Sequence, residues 1–335
     1  MKNLAAALLL LLSVLSASAQ TGATVFDNSY VHTIHVTFSE NNFWDILNNN
    51  YQTSIDPISG VPTDVPYLMG EVSIDGVVMD SIGLRQKGFS SHFSSNNNKK
   101  SLKLKFNEFV PGQRFDGLKK FNLSNGVGDP AMQRDVLCYE LMRRQGIRAP
   151  RTSYARVFLN NTYWGLYVVI EQIDKTFVTD NFLEGTGNLY KNIAWSDLEW
   201  QGSNQSAYEA SIELKTNKTE NDWSGFINLL DVLHNTPDAD FATEFQKVFD
   251  VDYFIRTLAI DVITNNWDSY MDHGRNYYLY QEPTSELFYW IPWDYNLAMG
   301  GQLGGGGGGG GPTDPYSCPT ILSGACPYPA SVRMK

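Results

Sequence analysis

From His32 to Phe38, Glu71 to Ile74, Val77 to Leu84 and Ser101 to Phe106, apolar and polar side chains alternate; from Asp222 onward, apolar residues recur three and four apart. A period of two gives a strand one buried face, whereas a period near 3.6 draws an apolar stripe along a helix. The chain is therefore expected to be α+β, sheet-rich first and helical later. Asp75-Gly76 joins two of these strands as a hairpin turn, and Asn160-Asn161 does the same for strands at Tyr154 to Phe158 and Leu166 to Ile170. In the segment Ser101 to Phe106, Leu102, Leu104 and Phe106 share one face, so Lys103 and Lys105 project together from the other.

Helical signals interrupt and then follow the strands. Phe43 to Leu47 reads as a short helix, and Asp129-Pro130 reads as a cap and first turn of one running through Met142 to about Gln145, where Gly146 stops it. Asp222 to Leu233 and Phe241 to Asn265 read as two helices with a break at Asp250 to Asp252, followed by strands Tyr277 to Gln281 and Leu287 to Pro292. Gly304 to Gly311 is an unbroken glycine run that holds no fixed conformation alone. Residues 301–335 are expected to be a low-complexity tail, or the truncated end of the domain before it.

Lys2, the apolar run Leu8 to Leu12 with Val14 and Leu15, and the small residues Ala17-Ser18-Ala19 give residues 1–19 a secretory pattern, with cleavage expected before Gln20 and an uncleaved membrane anchor as the alternative. An exported protein is expected, and no later apolar run approaches the ~20 residues needed to span a bilayer. Cys318 and Cys326 are spaced for a local bridge in an oxidising compartment, while Cys138 sits among apolar residues and reads as buried in a helix. The net charge of −11 argues against nucleic acid as a partner. The charge is also unevenly spread: Arg85 to Lys120 holds nine Lys or Arg against Glu108 and Asp116, and Asp238 to Asp294 holds eleven acids against Lys247, Arg256 and Arg275. That asymmetry suits a cleft taking a polyphosphate from one side and its metal from the other, or simply two solvated faces.

Asp268 and Asp294 stand among Trp267, Trp290, Trp293 and Tyr295, with Asn276 between them. Burying an unpaired carboxylate is costly, so acids in such company point to a metal or a catalytic partner. Other constellations are poorer. His32 and His35 fall on opposite strand faces, which disfavours a metal pair, and the serines lack a nucleophile elbow.

Several segments occur in an order that resembles the spore coat protein H (CotH) kinase family. They are Gly83-Leu84-Arg85-Gln86-Lys87-Gly88-Phe89-Ser90-Ser91, Lys99 to Phe106, Gly117 to Leu123, Trp164-Gly165-Leu166-Tyr167 leading to Glu171-Gln172-Ile173-Asp174, Asn266-Trp267-Asp268, and Pro292-Trp293-Asp294-Tyr295. The resemblance implies an atypical, protein-kinase-like two-lobed domain over residues 20–300, with a β-rich lobe at about 31–171 and a helical lobe at about 172–300. It implies transfer of the γ-phosphoryl of ATP, with Mg2+ or Mn2+, to Ser or Thr of protein substrates. Asp268 then corresponds to the catalytic aspartate, with Asp272 its competitor, and Asn276 and Asp294 correspond to the metal-binding pair. Lys103 is the expected phosphate lysine and Lys100 the second choice, while Arg85, Lys87, Gly88 and Ser90 form the nucleotide-covering turn. Glu171 is assigned to the linker or the adenine region, and Arg134 or Glu140 to pairing with the strand lysine or the phosphates. The alternative is a non-catalytic cell-surface structural or adhesion protein that keeps the fold.

Overall fold

The structure is a computed structural model that describes residues 20–57, 60–95 and 97–301. The signal, the glycine run, the tail and the Cys318/Cys326 pair lie outside the described residues. The first part is a closed seven-stranded barrel in the order β1-β2-β3-β4-β5-β7-β6. Its strands are β1 (Val31–Thr37), β2 (Leu68–Ile74), β3 (Val77–Gln86), β4 (Leu102–Lys105), β5 (Lys120–Ser124), β6 (Thr152–Leu159) and β7 (Thr162–Glu171). Neighbours are antiparallel except at the closure, where β1 runs parallel to β6 with Ile34 opposite Val157. Alternation sends Ile34, Val72, Leu84, Leu102, Leu104 and Leu123 into a solvent-free interior. The polar residues between them are left on the outer wall.

Helix α1 (Phe43–Gln52) extends five residues beyond Leu47 and packs on β2 and β3. A one-turn helix, α2 (Ser90–Phe93), follows the turn after β3. The helix between β5 and β6, α3 (Arg134–Arg144), starts later than Asp129-Pro130 suggested. Met132 takes a left-handed φ of 54°, which no helix interior tolerates, and Asp129 accepts the Arg134 N–H across that kink at 2.8 Å. Cys138 is indeed buried on this helix.

After α4 (Lys175–Asn181), β8 (Asn188–Asn192), β9 (Ile212–Leu214), β10 (Tyr277–Gln281) and β11 (Phe288–Pro292) build a second, antiparallel sheet in the order β11-β10-β8-β9. The helical region holds three segments rather than two: α5 (Ser224–Asn235), α6 (Asp238–Phe245) and α7 (Val251–Ile263). Asp250 causes the second break by accepting the Tyr253 N–H at 3.0 Å as the cap of α7. A one-turn helix, α8 (Tyr270–His273), precedes β10. Tyr270, Tyr277 and Trp290 stack in the same core as Tyr139 and Cys138 of α3, so α3 is built into the second part of the molecule as well as the first.

Candidate active site

The outer face of the barrel carries an unusual row of cations. Arg85 of β3 is directly opposite Lys103 of β4, and Lys105 of β4 is directly opposite Lys120 of β5. Like charges in register across a sheet repel unless something compensates them, and Lys105 is compensated by Glu108. Lys103 Nζ donates to Gln172 Oε1 at 2.7 Å, and Lys120 pairs with Asp174 at 3.5 Å. Lys191 on β8 brings a further cation from the second sheet. Protein surrounds these side chains although each keeps some contact with solvent, as expected on the wall of a cleft. Burial first, then Arg85, Lys87, Lys120 and Lys191, pull the Lys103 ammonium well below the usual lysine range. Burial and its lysine neighbours lower Lys191 to about 8. A bound polyanion would relieve both.

The carboxylate side is held by backbone bonds. Asp294 follows β11 in a left-handed conformation, φ 64°. Its N–H donates to Tyr139 Oη at 2.9 Å, and the next N–H, from Tyr295, donates to Asp135 Oδ1 at 2.9 Å. Two side chains of α3 therefore fix the turn that presents Asp294. Its carboxylate stays open to solvent within a crowded site. Burial raises its pKa while Lys87, Lys191 and Arg275 oppose the rise. Asn276 donates through Nδ2 to the carbonyl of Asp268 at 2.6 Å and accepts the Trp293 N–H at 3.1 Å. It is thus the link between Asp268 and the residue next to Asp294. Asp268 is buried, with Arg275 Nη1 at 3.9 Å from its Oδ1 and that guanidinium over the Trp195 ring. Asp272 falls on α8, and its side chain lies outside the described residues.

Of the predicted residues, Asp268, Asn276, Asp294, Lys87, Lys103 and Arg85 are thus brought into one neighbourhood. Lys87 reaches over the Trp293 ring at 5.4 Å. Others are engaged elsewhere. Lys100 donates to the carbonyls of His92 and Ser95 at 2.8 and 2.7 Å, fastening the α2 turn to the barrel. Glu171 is buried and bound by Arg151 through the backbone N–H and Nε, both at 3.0 Å, and through Nη2. Gly88 needs its φ of 89° and gives its carbonyl to Tyr51 Oη, and a Cβ there would overlap Ser91 Oγ. Ser90 is exposed at the start of α2. Glu140 pairs with Arg143 and Arg144 on its own helix, and Arg134 donates to the carbonyls of Gly128 and Asn296, so neither reaches Lys103.

The family model for CotH kinase protein matches residues 84–317, well over half of the sequence. The chain belongs to the CotH kinase protein family. Its curated CotH relatives include inner spore coat protein H of Bacillus subtilis (strain 168), 29% identical over 203 residues that make up 59% of this chain and 54% of that protein. Invasin CotH3 of Rhizopus delemar is 23% identical over 291 residues, 84% of this chain and 46% of that protein. Spore coat protein homolog 1 of the same fungus is 22% identical over 286 residues, 78% and 43% of the two chains. The chain spans about half the length of the curated relatives it matches.

Sequence reasoning missed two charged residues that the structure brings into this neighbourhood, Asp135 and Lys191. Asp135 lies one and two turns before Cys138, Tyr139 and Met142, on the buried stripe of α3. An acid on an apolar stripe at i, i+3, i+4, i+7 spacing is itself a signal. Burial first, and then Asp294, raise its pKa, with Lys87 and the Tyr295 N–H opposing. Lys191 gave no comparable signal, because β8 finds its partner β10 almost ninety residues later.

Among the described residues no three His, Cys, Asp or Glu side chains gather as a metal cage. Mg2+ asks for less than a cage, taking one or two carboxylates and completing its shell with water and phosphate oxygens. Asp294, open to solvent beside Asn276, fits such an ion.

Proposed function

We propose that this chain is an atypical protein kinase that moves the γ-phosphoryl of ATP onto Ser or Thr hydroxyls of proteins at or beyond the cell surface. The observation that supports this reading best is Arg85 directly opposite Lys103, with Lys87 and Lys191 acting on both Lys103 and Asp294, and Asn276 tying Asp268 to the residue before Asp294. Phosphoryl transfer asks little covalent help of a protein, only cations on the phosphates and an acceptor held in line. Lys103, Arg85 and Lys191 bind the phosphates. Asp268, fixed through its own carbonyl by Asn276, orients the acceptor hydroxyl and takes its proton. Asp294 and Asn276 would hold Mg2+ or Mn2+, which neutralises charge on the phosphates when bound. Tyr139 keeps Asp294 aimed.

The test is incubation of the full chain with labelled ATP, Mg2+ or Mn2+ and a generic protein acceptor. Transfer by the wild type should fall at least ~100-fold in Asp268→Ala, the usual scale for loss of a catalytic acid or base, and as far in Asp294→Ala. No transfer by the wild type, or undiminished transfer by both variants, refutes the proposal. The second reading is a surface structural or adhesion protein that keeps the fold without catalysis, and relatives named as a spore coat protein and an invasin are compatible with it.

A further inference from the structure

The proposed transfer gives Asp135 no chemical task beyond its bond to the Tyr295 N–H. Asp135 is 5% exposed on the apolar stripe of α3, beside Cys138, Tyr139 and Met142 that are wholly buried. Its only described bond uses Oδ1, which accepts the Tyr295 N–H, while Oδ2 receives no donor from the described residues. An asparagine would serve that bond equally well, because an amide oxygen accepts the same N–H. The bond to Tyr295 therefore does not require the negative charge, and burying that charge costs stability. Two further groups share the place: Asp294, which repels Asp135, and Lys87, which attracts both. At Asp135 itself, Asp294 and Asp129 both add negative charge and Lys87 opposes it, while Lys191 and Arg275 act on Asp294, whose carboxylate faces solvent.

We propose that Asp135 supplies a second carboxylate for the divalent cation, which is then held between helix α3 and the turn after β11. This rests on the kinase reading for the presence of that ion, and it adds a ligand from an element outside the Asp268–Asp294 hairpin. Asp135 Oδ2 and the Asp294 carboxylate together with phosphate oxygens make the sparse, oxygen-only set that Mg2+ and Mn2+ accept. Because Asp135 and Tyr139 already grip the backbone on either side of Asp294, the ion would clamp α3 against the second sheet.

The experiment measures Mn2+ binding by calorimetry and by electron paramagnetic resonance on the full chain, with and without a non-hydrolysable ATP analogue. Asp135→Asn keeps the acceptor for Tyr295 and removes the charge, and its melting temperature verifies that it folds. Its Mn2+ affinity should fall ~10–100-fold, the scale seen when metal-supporting carboxylates are removed. Glu140→Gln, on the exposed side of the same helix, should stay within about twofold of the wild type. Wild-type affinity in Asp135→Asn overturns the inference, as does an anomalous Mn2+ peak, in crystals soaked with Mn2+, more than ~3 Å from both Asp135 oxygens, beyond any ligand bond. A wild type that binds Mn2+, loses it in Asp135→Asn and transfers no phosphate upholds this inference while refuting the kinase reading. Full transfer and full Mn2+ binding in Asp135→Asn does the reverse.

Discussion

Replacing Glu171 by alanine separates a framework role from a nucleotide role. Glu171 is 2% exposed and accepts three bonds from Arg151, whose side chain is 14% exposed and lies over the Phe26 ring at 4.7 Å. Removing one partner of a buried ion pair strands the other, at a cost of about 3–5 kcal/mol. The Arg151 N–H also loses its acceptor, worth about 1–3 kcal/mol if no water replaces it. The two terms overlap where water enters the gap, so the expected loss is about 4 kcal/mol, a large part of the ~5–15 kcal/mol that holds a domain folded. In a chain of this size the melting temperature moves roughly 2 °C per kcal/mol, which predicts a fall of roughly 8 °C. The double variant Glu171→Leu with Arg151→Met removes both charges and should recover most of that fall, since apolar replacements of buried pairs are close to neutral. Thermal unfolding and ATP calorimetry on the same samples give the answer. A Glu171→Ala protein that melts within 1 °C of the wild type refutes the reasoning. So does a stable double variant whose ATP affinity has dropped tenfold, because the carboxylate would then be serving the nucleotide.

The two lysines should part in the same assay: Lys103→Met lowers ATP affinity by about tenfold or more, the order of one charge-assisted bond, while Lys100→Met leaves affinity within about twofold but lowers the melting point as the α2 turn loses its fastening. ATP affinity should decline as pH rises through about 8, where Lys191 gives up its proton, and Lys191→Arg should remove that part of the decline in calorimetry across pH 7 to 9. In metal-free buffer Asp135→Asn should melt higher than the wild type at pH 8 and about equal to it near pH 4. The sign follows from the raised native pKa of Asp135: the folded chain holds the proton longer than the unfolded chain, so stability is lost as pH climbs from the usual carboxylate range toward 7. Equal melting differences at both pH values would contradict it. Gly88→Ala should destabilise by more than ~1 kcal/mol, because it combines a left-handed φ with overlap on Ser91.

What could be read from the sequence was what local chemistry decides. Asp75-Gly76 and Asn160-Asn161 announced their hairpins because both residues of each pair take positive φ, at 50° and 89° and at 44° and 64°, as the turns demand. Lys103 could be aimed in advance because strand alternation fixes a side chain's face. The start of α3 was misplaced because Asp129 accepts the first helical N–H from outside the helix, across a left-handed residue that no periodicity reveals, and Gln133 holds the cap position. Strands β8 and β9 escaped because their sequences carry little alternation and their partners are remote. The register of Arg85 on Lys103 and the meeting of Asp135 with Asp294 are tertiary facts, created when separate segments pack. Asp135 was nonetheless within reach, had the acid on an apolar stripe been weighed as heavily as the acids among tryptophans.

The parallel seam between β1 and β6 sets the order in which the barrel is assembled. Its last latch, the Phe38 N–H on Asn160 Oδ1, joins residues 122 positions apart, whereas the β2–β3 hairpin needs only its own neighbourhood. Closing so long a loop is entropically slow compared with folding a hairpin. A nascent chain therefore carries β1 with one bare edge until β6 arrives, and through that interval the edge is open to pairing with another molecule. A fragment ending before Thr152 never escapes that condition. The seam makes this barrel indivisible, since any useful fragment has to run from β1 through the β6–β7 hairpin without interruption.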